Sequence, residues 1–402
     1  MTTIQVFLDN AATRCGTLYA NVRRGRVSST FAYASDHLNR PRAYAIDPEL
    51  PLVSGAQPVS APLPRAFGDA APDRWGRRLI ARQHAADRAD GGTPRTLTDI
   101  DYLLGVSDVT RQGALRFTTQ EGGTFLSPGT TVPKLISLPG LLRAADAVAR
   151  DSDGALQAVK QLLDAGTASL GGARPKAAVA DDGKLFIAKF PHPQDEWDVM
   201  AWEKVCLDLA SVAGIMVPGN RLVRIDGRSV LLVERFDRDN DRRIGYMSAM
   251  TLLGANDGES RDYLEIAEAM AEVSARPGAD LGELFRRIVL SILVNNTDDH
   301  LRNHGFLHRG TGWRLSPVFD VNPNPDLAAA RVTTVGGAAD PGGEIAVLVE
   351  KARLFGLSDE TARNAIAQVR KAVSGWKEAA RRNGVPAKGI AAFEPVFGRT
   401  IS

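Results

Sequence analysis

The chain has 402 residues, of which 44% are hydrophobic and 24% are charged. This length exceeds what one hydrophobic core usually serves, so we expect two or three packed units. The formal net charge of +2 argues against a strong overall attraction to nucleic acid or to a membrane surface. The two cysteines, Cys15 and Cys206, do not indicate a disulfide framework or a zinc site.

The sequence carries none of the usual features of an exported or membrane protein. Residues 1–7 lack the basic start and apolar centre of a signal peptide. The apolar run from Ile288 to Val294 is far too short to span a bilayer. Cys206 lies in an apolar helical pattern and is predicted to be a small core residue. We therefore expect a protein of the cytoplasm.

The first third of the chain is predicted to open with a small sheet. Residues 3–8 and 17–34 contain short β-prone runs separated by turn residues. Phe67 to Ala85, with Pro72 near its start, is predicted to form a helix. The stretch from Gly122 to Pro133 is rich in Gly, Thr and Pro and is predicted to be a linker. We therefore place a domain boundary near residue 130.

The middle of the chain changes from helical to strand patterns. Residues 138–149 and 155–165 have helical periodicity. The next predicted elements are a strand at residues 184–190, a helix at 199–212 and two strands at 222–225 and 230–236. Asp226-Gly227, between the last two strands, is typical of a hairpin turn.

Helical patterns dominate from Ala249 onward, except for a predicted short strand pair that involves residues 313–321. This order of elements predicts an α+β protein with two lobes and a nucleotide in the cleft between them. We divide the chain into an N-terminal α/β domain (residues 1–130), a small ATP-binding lobe (131–238) and a mostly helical lobe (239–402).

Phosphoryl transfer needs a cradle for phosphates, a cation beside them, a carboxylate near the incoming hydroxyl, and metal ligands. The segment Ser169–Lys176 is the first candidate, because its paired glycines let backbone N–H groups approach an anion closely. It is not a Walker A loop, since G-x-x-x-x-G-K-[ST] is absent. The alternative is an ordinary glycine turn.

Lys189 is the candidate cation. It ends an apolar strand, where a lysine is out of place unless it has a partner. Glu203 on the following helix is one candidate partner, as in the strand-lysine and helix-glutamate pair of protein kinases. Glu196 is the rival partner. The alternative is a lysine at a strand end that reaches solvent.

Asp298 and Asn303 lie five positions apart, as in the D-x-x-x-x-N of kinase catalytic loops. This spacing lets a carboxylate face the substrate hydroxyl while an amide oxygen, one turn later, reaches the metal. The apolar run Phe285–Val294 predicts a buried helix that delivers the polar loop to a surface. A solvated loop is the alternative.

Asp320 follows a β-prone run, as the metal-binding aspartate of kinases does, although an aspartate before a turn is also common. Two other interpretations of nearby residues are weaker. His300 and His304 form H-x-x-x-H, but the glutamate of H-E-x-x-H is missing. Residues 237–241 resemble the start of a calcium loop without its later glycine and glutamate, and we predict a charged turn there.

Taken in order, these motifs resemble the HipA family of toxin–antitoxin kinases. Asn296–Asn303 resembles the family's catalytic loop, N-x-D-x-H-x-[KR]-N, and Val233–Arg238 resembles its V-E-R-F-D-R segment. The other matching segments are Ser169–Lys176 for the phosphate loop, Ser316–Asp320 for the second metal motif, and Phe67–Asp73, Leu103–Gly105 and Gln112–Ala114 for the accessory N-terminal domain. The resemblance implies a bilobal, protein-kinase-like fold.

The resemblance also implies residue roles. Asp298 would be the catalytic base, and Asn303 and Asp320 would hold Mg²⁺. Ser169 would be a site of autophosphorylation that displaces the phosphate loop. The residues implied to bind ATP are Gly171, Gly172, Ala173, Lys176, Lys189, Glu234, Phe236, His300 and Arg302. The sequence departs from the common pattern at Asp299, where a small residue often stands, and at Arg174-Pro175, where proline would stiffen the loop.

The function implied by the resemblance is that of an ATP-dependent serine/threonine kinase, the toxin of a toxin–antitoxin module. Its partners would be a small helix-turn-helix antitoxin (HipB-like), through which it meets DNA indirectly, and a protein substrate such as an aminoacyl-tRNA synthetase. Two alternatives stay open. One is a catalytically silent corepressor or scaffold for the DNA-binding partner, and the other is a small-molecule phosphotransferase.

Overall fold

The computed structural model describes residues 1–9, 14–89, 95–120, 123, 125, 132–152, 154–166 and 174–399. Within these ranges the N-terminal sheet consists of β1 Thr2–Leu8, β2 Arg14–Arg23, β3 Arg26–Tyr33, β4 Ala56–Pro58 and β5 Leu115–Thr118. Its strands are antiparallel and stand in the order β4–β3–β2–β1–β5. Arg24 and Gly25 both have positive φ, at 51° and 76°, which suits the tight turn between β2 and β3. The predicted opening sheet is confirmed.

The helices of this N-terminal unit are α1 Ser35–Leu38, α2 Arg65–Asp69, α3 Arg74–Ala89 and α4 Asp99–Leu104. The prediction of a single helix from Phe67 to Ala85 is wrong, because the helical structure is interrupted between the end of α2 and the start of α3. Pro72 lacks an N–H group, and Asp73 Oδ1 accepts the N–H of Gly76 at 2.6 Å, which starts a new helix. Phe67 packs edge-on against Phe117, so α2 covers the sheet.

The second group of elements is α5 Leu138–Arg150, α6 Ala155–Asp164, β6 Lys176–Asp181, β7 Lys184–Lys189, α7 Val199–Val212, β8 Asn220–Ile225 and β9 Arg228–Glu234. In the described part of this region the strands form an antiparallel sheet in the order β6–β7–β9–β8. Asp226 and Gly227 have φ values of 49° and 77° and make the predicted hairpin turn. Every element predicted here is confirmed. The predicted linker at 122–133 lies mostly outside the described residues.

The remaining elements are β10 Arg238–Asp239, β11 Arg242–Arg243, β12 Gly245–Ser248, α8 Ala249–Leu252, β13 Arg261–Asp262, α9 Tyr263–Val273, α10 Pro277–Leu293, β14 Gly305–Arg309, β15 Gly312–Leu315, β16 Thr333–Thr334, α11 Pro341–Glu350, α12 Asp359–Ser374, α13 Trp376–Arg382 and α14 Ala387–Phe397. The charged turn predicted at 237–241 lies at the short hairpin β10–β11. The strand predicted to reach residue 321 ends at Leu315, because Pro317 has no N–H to continue the pairing with β14.

Helix α10 confirms the prediction of a buried helix that leads into the polar loop. Pro277 stands in its first turn, where the missing N–H is not needed. Its second half is buried among α9, α11 and α12. Asn295 follows α10 with a left-handed φ of 56°, which turns the chain out of the helix and into the loop.

Buried arginines join the N-terminal unit to the rest of the chain. Arg111 is fully buried and donates to the carbonyl oxygens of Ala70, Leu103 and Val106 at 2.8–3.0 Å. Arg235 donates in turn to the carbonyl oxygen of Arg111 at 3.1 Å. Because Arg235 donates to backbone oxygens of the N-terminal unit, that unit is held against the segment that follows β9. None of the helices within the described ranges is long and apolar enough to cross a bilayer.

Candidate active site

A cleft of about 970 Å³ lies where the four-stranded sheet, the loop after α10 and the start of α3 meet. Three parts of the chain that are far apart in sequence therefore face one space. Its lining includes side chains from the sheet (Lys189, Glu234 and Phe236), from the second lobe (His300, Arg302, Asn303 and Asp320) and from the N-terminal unit (Asp69 and Asp73).

Lys189 links the two lobes across this cleft. Its Nζ lies 2.6 Å from Oε1 of Glu203 on α7 and 2.9 Å from Oδ1 of Asp320. Burial acts to lower the pKa of Lys189, but the charges of Asp320 and Glu203 outweigh it and raise the pKa above its ordinary value. Glu203 is thus the partner, while Glu196 is exposed. The alternative of a lysine that reaches solvent is wrong.

Asp320 lies beside that lysine at a turn of the backbone. Its φ of 59° is left-handed, a conformation that Asp and Asn adopt more readily than other non-glycine residues. Burial acts to raise the pKa of Asp320, but the charge of Lys189 and its hydrogen bond outweigh that and hold the pKa well below its usual range. Asp320 is therefore a carboxylate aimed into the cleft at neutral pH.

The neighbouring aspartates of the loop lie in opposite environments. Asp298 is exposed, and no described residue donates a hydrogen bond to its carboxylate. Its backbone oxygen accepts from Asn303 Nδ2 at 3.2 Å, which closes the tight turn that the D-x-x-x-x-N spacing predicted. Partial loss of hydration raises the pKa of Asp298, as do the charges of Asp320 and Asp299, against the opposing effect of His300.

Asp299, by contrast, is buried and fully engaged. Tyr263 and Ser291 donate to its Oδ2, the latter at 3.0 Å, and His304 Nε2 lies 3.1 Å from its Oδ1. Burial acts to raise the pKa of Asp299, but the charge of His304 and these hydrogen bonds lower it to about 2. Asp299 therefore anchors the loop from behind and adds a negative charge beside Asp298.

Backbone and amide contacts fix the rest of the loop. Arg331 donates to the carbonyl oxygen of Asn296 at 2.7 Å, and Thr333 Oγ1 donates to that of Asp299 at 2.6 Å. Asn295 Nδ2 donates to the carbonyl oxygen of Asn324 at 2.8 Å. Sequence reasoning missed this support, because a single arginine and threonine thirty residues downstream carry no local pattern.

Glu234 and Phe236 lie where β9 leaves the sheet. Glu234 Oε1 is 2.9 Å from the Nζ of Lys184, at the rim of the cleft. The ring of Phe236 lies 5.5 Å from that of Phe319, so an apolar surface stands beside the polar groups. A flat aromatic surface next to backbone and carboxylate acceptors suits a planar heterocycle.

His300 and Arg302 line the cleft from the loop. The Nδ1 atom of His300 is buried without a hydrogen-bond partner among the described residues, which is costly unless a ligand supplies one. Among the described residues, Arg302 makes one distant ion pair, with its Nε 3.8 Å from Asp257. Both side chains thus retain donor capacity for an anion in the cleft.

The predicted phosphate loop is described only at its end. Ser169, Gly171, Gly172 and Ala173 lie outside the described residues. Arg174 pairs with Asp195 at 2.6 Å. Lys176 is the first residue of β6, directly opposite Lys189 on β7, and its Nζ lies 2.8 Å from Asp73. Sequence reasoning did not predict this contact with the N-terminal unit.

The side chains of the cleft fit Mg²⁺ together with a nucleotide. Asn303 donates through Nδ2 to the chain, which leaves its amide oxygen as an acceptor, and Asp320 supplies a carboxylate. Mg²⁺ is usually held by one or two such oxygens and by substrate phosphates, without a complete protein cage. The described part of the chain contains no cluster of three or more His, Cys, Asp or Glu residues that could hold a metal.

The fold and the cleft define a bilobal, kinase-like protein, and comparison with known proteins specifies its family. The HipA-like C-terminal domain matches residues 168–376, so the chain belongs to the HipA-like family. The chain is 27% identical over 161 residues to a candidate kinase of Haemophilus influenzae and 27% identical over 165 residues to the candidate kinase Y4mE of Sinorhizobium fredii. These matches cover 35% and 37% of the chain. They span about half or less of those relatives, 47% and 38% of their lengths.

A solved structure shares the fold over nearly the whole chain. It is that of the Shewanella oneidensis toxin–antitoxin system HipA, HipB and its operator DNA, with a TM-score of 0.69. The match covers 98% of this chain and 95% of the other at 14% sequence identity. The predicted α+β, HipA-like fold is confirmed.

Proposed function

We propose that the protein is an ATP-dependent serine/threonine protein kinase of the toxin–antitoxin type. The observation that carries the proposal is the contact of Lys189 with both Glu203 and Asp320, at 2.6 and 2.9 Å. A lysine paired with a helix glutamate, with the metal-motif aspartate beside it, is the set of groups that protein kinases use at the phosphates. The membership of the HipA-like family and the names of its kinase relatives support the same activity.

In this proposal each part of the cleft has a task. Lys189, held by Glu203, binds the phosphates of ATP, and Asn303 and Asp320 hold Mg²⁺. The remaining ATP-binding residues are Gly171, Gly172, Ala173 and Lys176 of the phosphate loop, Glu234 and Phe236 at the adenine, and His300 and Arg302 at the phosphates. The proposed domains remain residues 1–130, 131–238 and 239–402, with the nucleotide between the last two and the N-terminal domain as an accessory unit.

Bound Mg-ATP supplies the phosphoryl group that is transferred. Asp298 orients the hydroxyl of a Ser or Thr and accepts its proton as the oxygen attacks the γ-phosphorus. The bond from that phosphorus to the bridging oxygen breaks, and the electron pair leaves with ADP. Lys189 compensates the negative charge that moves toward the leaving group. Asp299 keeps the loop in place while Asp298 acts.

The partners follow from the toxin–antitoxin assignment. We infer a small helix-turn-helix antitoxin, HipB-like, that carries the contact with DNA, since the Shewanella oneidensis relative forms a complex with HipB and operator DNA. The substrate in this proposal is a translation-related protein such as an aminoacyl-tRNA synthetase, met in the cytoplasm away from membranes. Autophosphorylation of Ser169 would add a charge of about −2 to the phosphate loop, enough to rearrange the loop.

The test is phosphosite mapping by mass spectrometry after incubation of the protein with Mg-ATP and a cell extract of its host. Phosphate on Ser169 and on a second protein is expected with wild type, and Asp298→Ala should lose about 10³-fold in rate. Glu196→Ala, which removes an exposed carboxylate of the same lobe, is the matched control and should behave as wild type.

Two outcomes would contradict the proposal. Phosphate on no protein, with Asp298→Ala indistinguishable from wild type, would favour the corepressor or scaffold. ATP consumption that depends on Asp298 but labels only small molecules would favour a small-molecule phosphotransferase.

A further inference from the structure

An ion pair joins the N-terminal unit to the sheet at the phosphate end of the cleft. Lys176 Nζ lies 2.8 Å from Asp73 Oδ2, and the two residues are 103 positions apart. Their side chains are only 3% and 7% exposed. A buried pair of this kind loses much of its stability when one partner is removed, because the other charge is left without compensation.

The position of the pair connects it with the nucleotide. Lys176 is opposite Lys189 in the β6–β7 ladder, so the two lysines start from neighbouring positions on adjacent strands. Asp73 itself lines the cleft, whereas Lys176 does not. Asp73 therefore borders the cleft and also contacts the second lysine, Lys176.

The two lysines differ in what neutralises them. Lys189 is held by Glu203 on α7 and by Asp320 after β15, neither of which belongs to the N-terminal unit. Lys176 is held by Asp73 from the N-terminal unit, whose other oxygen accepts the N–H of Gly76 at 2.6 Å. The first turn of α3 thus fixes the Asp73 carboxylate, which cannot follow Lys176 if the ammonium turns toward the cleft.

We propose that Asp73 is a positioning residue that sets the affinity of the cleft for nucleotide phosphates by holding the ammonium of Lys176. Lys176 is engaged by Asp73, and phosphate oxygens must compete with that carboxylate for it. The proposal rests on the proposed function, since it assumes that the cleft binds a nucleotide. It adds a role for the N-terminal unit in that binding.

This competition makes a prediction that depends on the number of phosphates. Release of Lys176 should help a triphosphate most, a diphosphate less and a nucleoside not at all, because only phosphate oxygens use the ammonium. An ion pair that merely fixes the N-terminal unit to the sheet would affect all these ligands equally. The ligand series therefore separates the two roles.

The experiment is calorimetric titration of the full chain with ATP, ADP, AMP and adenosine in the presence of Mg²⁺. Asp73→Asn keeps an oxygen for the N–H of Gly76 but removes the negative charge. We expect it to bind ATP about tenfold more tightly than wild type, with a smaller gain for ADP and no change for adenosine. Adding Lys176→Met to Asp73→Asn should abolish the gain.

Asp99→Asn is the matched control. Asp99 on α4 pairs at 3.1 Å with Arg77 on α3, the helix that begins after Asp73, and neither residue lines the cleft. It should leave all four affinities unchanged. If Asp73→Asn does not fold, Lys176→Met alone serves, and it should weaken ATP binding while leaving adenosine binding unchanged.

The failures are distinguishable. No binding of any nucleotide to wild type would overturn the proposed function itself. Wild-type binding of ATP, with Asp73→Asn equal to wild type or changed alike for all four ligands, would overturn only the role of Asp73.

Discussion

The two sides of the cleft are held in different ways. On the lysine side, Lys176 and Lys189 are fixed by ion pairs with carboxylates that come from distant parts of the chain. On the loop side, residues 295–303 are fixed mainly by hydrogen bonds to backbone oxygens and to the one buried carboxylate of Asp299. The lysine side is therefore held mainly by ion pairs, and the loop side mainly by hydrogen bonds.

This difference matters for the proposed binding of a nucleotide, which is a highly charged ligand. Ion pairs can exchange one anionic partner for another, so the lysine side can pass its cations from carboxylates to phosphates. Hydrogen bonds to backbone oxygens have no such competitor, so the loop side keeps its geometry whether or not a ligand is bound. We expect substitutions on the lysine side to change ligand affinity and substitutions behind the loop to change stability.

The largest effect that separates the sides is expected from Asp299→Ala. Its loss leaves Tyr263, Ser291 and His304 without their shared acceptor in the interior, and the free energy of unfolding should fall by about 3 kcal/mol. The folded-state pKa of Asp299 is lowered to about 2. Its contribution is therefore complete above the unfolded pKa of about 3.9 and is lost as the pH falls toward 2. Urea denaturation at neutral pH measures the difference.

Asp298→Ala is the internal control for that measurement, since it removes the neighbouring carboxylate, which is exposed. It should change the free energy of unfolding by less than about 0.5 kcal/mol. Equal destabilisation by the two substitutions would show that the loop does not depend on the buried carboxylate.

The lysine side illustrates what local sequence can and cannot predict. The strand that ends in Lys189, the helix that carries Glu203 and the hairpin at Asp226-Gly227 were predictable, because periodicity and turn chemistry act over a few residues. The contact of Lys176 with Asp73 was not, because it depends on how the N-terminal unit packs on the sheet. A single carboxylate at a helix start has no pattern that identifies its partner.

The loop side shows the same limit from another direction. The D-x-x-x-x-N spacing predicted a tight turn, and the structure contains it. Which aspartate is buried could not be read from two adjacent identical residues, since that depends on Tyr263, Ser291 and His304. The single helix predicted at 67–85 failed at Pro72, where a side-chain cap at Asp73 starts a second helix. The proposed roles of the site residues stay predictions.

The pH dependence of kcat/KM tests the role of Asp298, whose pKa depends on charges from both sides of the cleft. The pKa of Asp298 is raised by partial loss of hydration and by the charges of Asp320 and Asp299. A base must be unprotonated, so kcat/KM should fall as the pH is lowered through this raised pKa, by about tenfold per unit below it. The acid limb should therefore lie above the ordinary aspartate pKa of about 3.9.

Substitution of Arg74 should move the acid limb of the pH profile of kcat/KM. Its positive charge lowers the pKa of Asp298, so Arg74→Ala should shift the acid limb to higher pH. The shift should be a few tenths of a unit and should shrink with added salt, because the Arg74 side chain is 80% exposed. A limb at the ordinary aspartate value, unmoved by the substitution, would contradict the role of Asp298 as the base.

The smallest effect is expected at the rim of the lysine side, where Lys184 pairs with Glu234 at 2.9 Å. The Lys184 and Glu234 side chains are 60% and 30% exposed, so water and salt screen their attraction. Lys184→Ala should lower the free energy of unfolding by less than about 0.5 kcal/mol and change ATP affinity by less than about twofold. Urea denaturation and nucleotide titration of the same preparation measure both.

A loss of ATP affinity as large as that expected for Lys176→Met would mean that exposure does not separate the two lysines. The proposed difference between Lys176, whose ammonium exchanges Asp73 for a phosphate, and Lys184, which lies exposed at the rim, would then be wrong.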